Sequence, residues 1–447
     1  MAVRGFDGPE SGERRAGGLW ATPPLRAARE AAPVAGARAG AGPASWTRLL
    51  PALFYLLIEC ARPMAWAPAL GALRPGLIAA IWLTVVFLAR RRWFLSAPIA
   101  CMLFLVGVMA AQVPFAANNY RAFVGFQEYA TLAVLCVFPT AAIVETVGDV
   151  RLLLWAYALL HVPTALHGIL HGGVGLGGWL GDENDLALAL NAAAAISVYL
   201  LFGERRLFRR VVLIAVVALC ALTSAFTLSR GGFVGLVAIW VFLLVTGPRR
   251  GRLLVLGAAV ALLLVAVAPA NYWSEVRSIR TADENDDTGA KRIYYWKLAT
   301  RMFADHPFAG VGTRNFGIAA PLYEDQVYAD QSGHHMWGRV CHSIYFTVLA
   351  EQGLAGVVPF TIVLWWCFRT HRKILRAARR RPDDGNLAAA SMLSRAIVAA
   401  LFAVLACGAF LSAAWYPPLW IMVGLLAGLN RVVFPAPDDQ SAASSPA

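Results

Sequence analysis

DENDLALALNAAAAISVYLLFGERR, Asp182 through Arg206, is the stretch from which the fold is read. Its middle, 184–203, is almost wholly apolar and has the length, about 20 residues, that a helix needs to cross ~30 Å of hydrocarbon. No water is available there to bond a bare amide, so such a run is stable only as a helix that satisfies its own backbone. Asp182 or Asn184 can cap that helix at its start. Arg205 and Arg206 close the other end, as basic residues do on the cytoplasmic side of a membrane.

Comparable runs recur along the chain. Hydrophobic residues make up 59% and charged residues 15% of 447 residues, and the mean hydropathy is +0.60. About twelve spans are expected, near 48–61, 75–89, 93–113, 123–144, 151–171, 184–203, 210–227, 231–247, 252–270, 342–368, 393–413 and 416–433. The fold class is therefore all-α: a polytopic inner-membrane bundle of about twelve transmembrane helices with one large helical periplasmic loop. Residues 46–270 carry the first nine helices, 271–341 form the loop subdomain and 342–433 carry the last three. The tails 1–45 and 434–447, rich in Ala, Gly, Pro and charge or in small polar residues, are expected to be disordered and cytoplasmic.

A net charge of +13 raises nucleic acid as a partner, but its distribution speaks against that reading. Arg90-Arg91-Arg92, Arg205 to Arg210, Arg249 to Arg252 and the series from Arg369 to Arg381 fall in alternate short loops, which marks membrane topology. An even helix count puts 172–183, 228–230 and 271–341 together on the far face. Six of the seven cysteines lie in apolar helices and Cys341 borders the loop, so no disulfide framework or CxxC site is visible. His161, His167 and His171 suggest a metal, since 167 and 171 share a helix face. No carboxylate stands at ligand spacing, and a polar lining or interfacial anchor is the better reading. No metal or cofactor is expected.

The loop has internal order. In RIYYWKLATRMF, Arg292 to Phe303, one face can rest on apolar surface. Pro307 ends that helix by disfavouring helical geometry at His306, and Gly310-Val-Gly312-Thr-Arg314-Asn-Phe316 follows as a tight turn. His342 then opens HSIYFTVLAEQGLAG, where a polar loop meets an apolar helix, the place for a general base at a membrane surface. Gly353 and Gly356 read as a small-residue packing face.

Three segments occur in order: Thr227-Leu-Ser229-Arg230-Gly-Gly-Phe233, Arg292-x-x-x-Trp296 with His306-Pro-Phe-Ala-Gly-Val-Gly312, and His342-Ser followed by Gly353-x-x-Gly356. Together they resemble the bacterial O-antigen ligase and O-antigen polymerase superfamily, and DENDLALAL with HSIYF is similar to O-glycosylation ligases found beside exosortase systems. The resemblance implies metal-independent, inverting transfer of a glycan from an undecaprenyl-diphosphate-linked donor to a hydroxyl of lipid A core or protein, at the periplasmic face of the inner membrane. It implies Arg230 and Arg292, with Ser229, on the donor diphosphate and His342 as the catalytic base. Arginines suit the first task because charge grows on the departing diphosphate.

Each assignment has a plainer rival. Arg230 at a helix end can snorkel to headgroups, Arg292 can be a solvated loop charge, and His342 can be an interfacial cap. Asp182, Asn184 and Asp185 are candidates for sugar or acceptor hydrogen bonding as well as capping, and Trp296 and Arg314 are further candidates there. An unperturbed histidine titrates near pH ~6.5, so activity is expected to fall on acidification. Three functions are open: ligase, repeat-unit polymerase, and solute transporter. The last is weakest, because few charges lie within the spans. The acceptor alone separates ligase from polymerase, and the close match around His342 favours ligase.

Overall fold

The computed structural model describes residues 44–90, 93–247, 249–268, 270–278, 287–325 and 336–435. Most of both expected tails, together with Arg91 and Arg92, falls outside the described residues. Each expected span is helical, and no strand occurs among the described residues. In chain order the helices are α1 (Trp46–Leu56), α2 (Pro75–Arg90), α3 (Ala97–Phe115), α4 (Asn119–Ile143), α5 (Val147–Leu170), α6 (Glu183–Gly203), α7 (Leu207–Phe226), α8 (Arg230–Thr246) and α9 (Arg250–Val267). The loop contributes α10 (Ala270–Ser278), α11 (Asp287–Asp305) and α12 (Phe316–Tyr323). The bundle closes with α13 (Ile344–Arg380), α14 (Gly385–Gly408) and α15 (Pro417–Val433). Eight of these are long and apolar enough to cross a membrane, while α2, α8 and α15 are apolar but shorter. α1 is continued by a π-helical turn, Leu57–Ala61.

α6 is the centre. Its apolar window is 83% buried, against 17% for the peripheral α9. The alanines explain this: Ala187, Ala189, Ala192, Ala193 and Ala195 are fully covered, and small side chains let backbones approach closely where hydrocarbon provides no hydrophobic drive. α14 packs on α6 with its own alanines, and α7 and α8 flank it. Gly232 is required at the crossing of α8, since a Cβ there would lie 2.6 Å from the Cβ of Ala187.

Two expectations are corrected. The basic series Arg369–Arg380 does not form a loop; it continues α13 as helix. Gly353 is not a packing glycine within an unbroken helix, for it breaks α13 at φ 57°, ψ −152°, a conformation close to glycine-only. The turn at 307–312 enters the break. Ala350 and Glu351 carbonyls, freed from the helix ladder, accept from the amides of Val311 (2.9 Å) and Gly312 (3.1 Å). The Leu354 and Ala355 amides donate to the carbonyls of Pro307 (2.8 Å) and Phe308 (2.9 Å). Gln112 of α3 also donates to the Glu351 carbonyl at 3.0 Å. Broken helix is tolerated at membrane depth only when protein re-satisfies its backbone, and here loop and helix do so for each other. This fastens the loop subdomain to the bundle.

Candidate functional site

The elbow between α7 and α8 positions the first arginine. Leu228 takes a left-handed φ of 52°, unusual for a branched residue and affordable only where neighbours hold it. Ser229 caps α8, accepting from the Gly232 amide at 2.8 Å, and donates its own proton to Oδ1 of Asn184 at 2.6 Å. Asn184 in turn donates to Asp182 at 2.8 Å, and Asp182 caps α6. Capping by Asp182 is thus realised, and Ser229 ties the starts of α6 and α8 together. Arg230, first residue of α8, donates from Nε to Glu275 of α10 at 2.8 Å.

The loop supplies the second arginine. Half-buried Arg292 on α11 lies with its guanidinium 5.9 Å from the ring centroid of Phe410, within cation–π reach. Burial lowers its pKa, the charge of Arg230 lowers it further, and Asp182 opposes both. Those influences place Arg230, Arg292 and Asp182 in one electrostatic neighbourhood.

His342 sits at the mouth of α13 with φ 52°. Its amide donates to the Ser412 hydroxyl at 2.9 Å, and its ring stacks on Tyr295, with centroids 5.9 Å apart. Burial first, then Arg292, lowers its pKa to about 4, with Arg339 adding to the effect and Asp182 opposing it. The expected titration near 6.5 is therefore displaced: the imidazole is neutral throughout the physiological range.

Sequence positions 182, 184, 229, 230, 292 and 342 thus meet at one end of the bundle. Asp185 lies beside them, buried, accepting from the Tyr416 hydroxyl at 3.2 Å. Trp296, one turn beyond Arg292, stacks on Phe346 at 5.2 Å, and its indole N–H is buried with no hydrogen-bond partner among the described residues. Arg314 is paired with Glu128. Its amide, with that of Phe316, holds the buried Glu351 carboxylate at 2.9 and 3.3 Å, which secures the loop turn. Motif reading missed Glu275, Arg339, Tyr416 and Ser412, since nothing local distinguishes a carboxylate or hydroxyl that acquires its partner from a remote segment. The same end holds Glu59, on the π-helical turn, which accepts from the Trp179 indole at 2.9 Å.

Among the described residues, no group of three His, Cys, Asp or Glu side chains is placed to hold a metal. His161 is buried with Nδ1 2.7 Å from the Tyr157 carbonyl, and His167 stacks on His171 at 3.8 Å.

Residues 215–361, which include Ser229, Arg230, Arg292 and His342, match the family model described as O-Antigen ligase. The chain is also 25% identical over 210 residues to the exopolysaccharide production protein ExoQ of Rhizobium meliloti (strain 1021). That alignment covers 46% of this chain and 43% of the relative, so the chain spans less than half the length of the curated protein it matches. Both similarities support the resemblance to the O-antigen ligase superfamily read from the motifs.

Proposed function

We propose that this protein transfers a glycan from an undecaprenyl-diphosphate-linked donor to an acceptor hydroxyl at the periplasmic face of the inner membrane. The observation that carries the proposal is the meeting of Arg230, Arg292 and His342, from three separate segments, around Asp182. Two cations in one electrostatic neighbourhood suit a diphosphate, and a neutral imidazole beside them suits a hydroxyl proton.

The acceptor oxygen attacks the anomeric carbon as the bond from that carbon to the diphosphate oxygen breaks. His342 takes the hydroxyl proton, and the electron pair leaves with the diphosphate, where Arg230 and Arg292 stabilise the growing charge. A single displacement of this kind inverts the anomeric centre. Ser229 contributes by holding Arg230 at the start of α8, and reaches a phosphate oxygen itself only by releasing Asn184. Asp182, Asn184 and Asp185 are proposed to meet sugar or acceptor hydroxyls, with Trp296 beside them, whose buried indole N–H has no hydrogen-bond partner among the described residues. Arg314 acts through the loop turn.

A base with a pKa of about 4 is weak, but Arg292 is one reason for that value. A bound diphosphate offsets the arginine charge, so the donor's arrival strengthens the base at the moment it is needed.

The test is turnover of a defined lipid-linked donor by the purified protein, together with lipid-linked intermediates in cells that lack it. Accumulation of unlinked long chains supports the ligase reading. Accumulation of single repeat units supports the second reading, a repeat-unit polymerase. No change in either, with no turnover, sinks both.

A further inference from the structure

A cavity of about 490 Å³ lies at the other end of the bundle, between the last turns of α13, the start of α14 and the end of α15. Lys373, Arg376, Arg380 and Arg381 line it. Asp384 is the one acid among the lining residues, and its carboxylate accepts from the amides of Asn386 and Leu387 at 3.0 and 3.1 Å, capping α14. Lys373 rests 3.7 Å over the Phe434 ring. No ion pair engages Arg376, Arg380 or Arg381 among the described residues. The remaining wall is largely apolar, with Val147, Leu387 and Val432.

Depth identifies the ligand. From Leu354 to Arg380, α13 rises about 40 Å at ~1.5 Å per residue, more than the ~30 Å of hydrocarbon. Its final turns therefore stand among headgroups, on the side that the basic clusters mark as cytoplasmic. Unpaired guanidiniums at that level attract phosphate, and basic pockets between transmembrane helices are suited to anionic lipid headgroups. A free phosphate has the same charge but would leave the apolar wall facing water.

We propose that this cavity binds the phosphodiester headgroup of an anionic phospholipid, with Arg376, Arg380 and Arg381 on its oxygens and the apolar wall against the start of its acyl chains. The experiment is native mass spectrometry of the full-length protein in detergent, titrated with dioleoyl phosphatidylglycerol or dioleoyl phosphatidylcholine. One phosphatidylglycerol should bind saturably, and phosphatidylcholine should not. The triple variant Arg376→Gln, Arg380→Gln, Arg381→Gln should bind at least tenfold more weakly, while Arg206→Gln, Arg209→Gln, Arg210→Gln, which loses the same charge elsewhere, should stay within threefold. Should the first triple variant fail to fold, Arg381→Gln alone, at an exposed position, should weaken binding about threefold. Val432→Trp, which fills the apolar wall without touching charge, should also weaken it. Equal losses in the two triple variants would reduce the cavity to general surface charge and overturn the proposal. Displacement of the lipid by millimolar inorganic phosphate would make it a free-anion site, and unchanged binding in Val432→Trp would remove the acyl contact; either result refutes the lipid assignment.

Discussion

At one end of the bundle two half-buried arginines, Arg230 and Arg292, share a neighbourhood with Asp182 and His342, while at the other Arg369, Arg376, Arg380 and Arg381 stand exposed on one helix and its end. The second end has more charge. Yet Arg292 lowers the pKa of a histidine, while the charges of the exposed series stand where water and salt screen them. What separates the ends is desolvation: a cation withdrawn from water acts on its neighbours with a lower effective dielectric. On the proposed reading the exposed series orients the helices and the half-buried pair serves the chemistry.

The comparison is broken most completely at the frame of the first end. Gly353→Ala should abolish the folded loop–helix interlock, because a Cβ there lies 2.7–2.8 Å from backbone atoms of Pro307, Phe308 and Gly310 at a φ that side chains rarely adopt. The expected loss is at least about 2–3 kcal/mol, read as a fall in melting temperature and in monodisperse yield. A wild-type melt would mean the helix closes without the break.

His342→Ala should lower turnover by roughly 10²–10⁴-fold with donor affinity little changed, the usual share of general base catalysis. Turnover within about threefold of wild type would return His342 to a structural role at the helix mouth. Arg230→Lys and Arg292→Lys should each cost roughly 10²–10³-fold while the protein stays folded, because an ammonium keeps the charge but cannot present a planar fork to phosphate. Arg369→Gln and Arg372→Gln, at the other end, should leave turnover within about threefold. Equal sensitivity at the two ends would erase the distinction between them.

The finest test uses pH. His342 has its folded-state pKa lowered from 6.5 to about 4, so kcat/KM, which reports the free enzyme, should hold steady from pH 8 down to about 5 and fall only toward 4. Because the bound diphosphate offsets Arg292, the acid limb of kcat should lie higher than that of kcat/KM. Arg339→Gln removes a lesser depressing charge and should move the kcat/KM limb upward by a small amount. Between 6.5 and 4 the unfolded chain holds a proton that the folded His342 rejects, so the same group makes the fold less stable as pH falls through that window. A kcat/KM limb at 6.5 would show an imidazole that water reaches freely.

Single-cysteine labelling checks which end faces out. Lys297→Cys, exposed on α11, should react with an impermeant reagent in intact spheroplasts, and a cysteine at Arg380 should not.

Hydropathy and span length made the helices legible from residues alone. Hydrocarbon permits a crossing chain almost no other form, so 184–203 declares itself as helix whatever its neighbours do. The alternation of basic loops likewise sorted the loops onto two faces, and the structure brings 182, 229, 292 and 342 to one end as that sorting requires. Motif spacing picked out Ser229, Arg230, Arg292 and His342 as residues, but not what surrounds them. The partnership of Arg230 with Glu275, the tie from Ser229 to Asn184 and the neutral state of His342 belong to the tertiary structure. So does the break at Gly353, which reads as a packing glycine until the 307–312 turn is seen to fill it. The physical reason is one of range. Solvent preference and backbone bonding act within a few residues and are written locally. Desolvation and charge coupling are sums over segments brought together by packing, here the alanine face of α6 against α14 and the close approach of Gly232, and no single segment carries them.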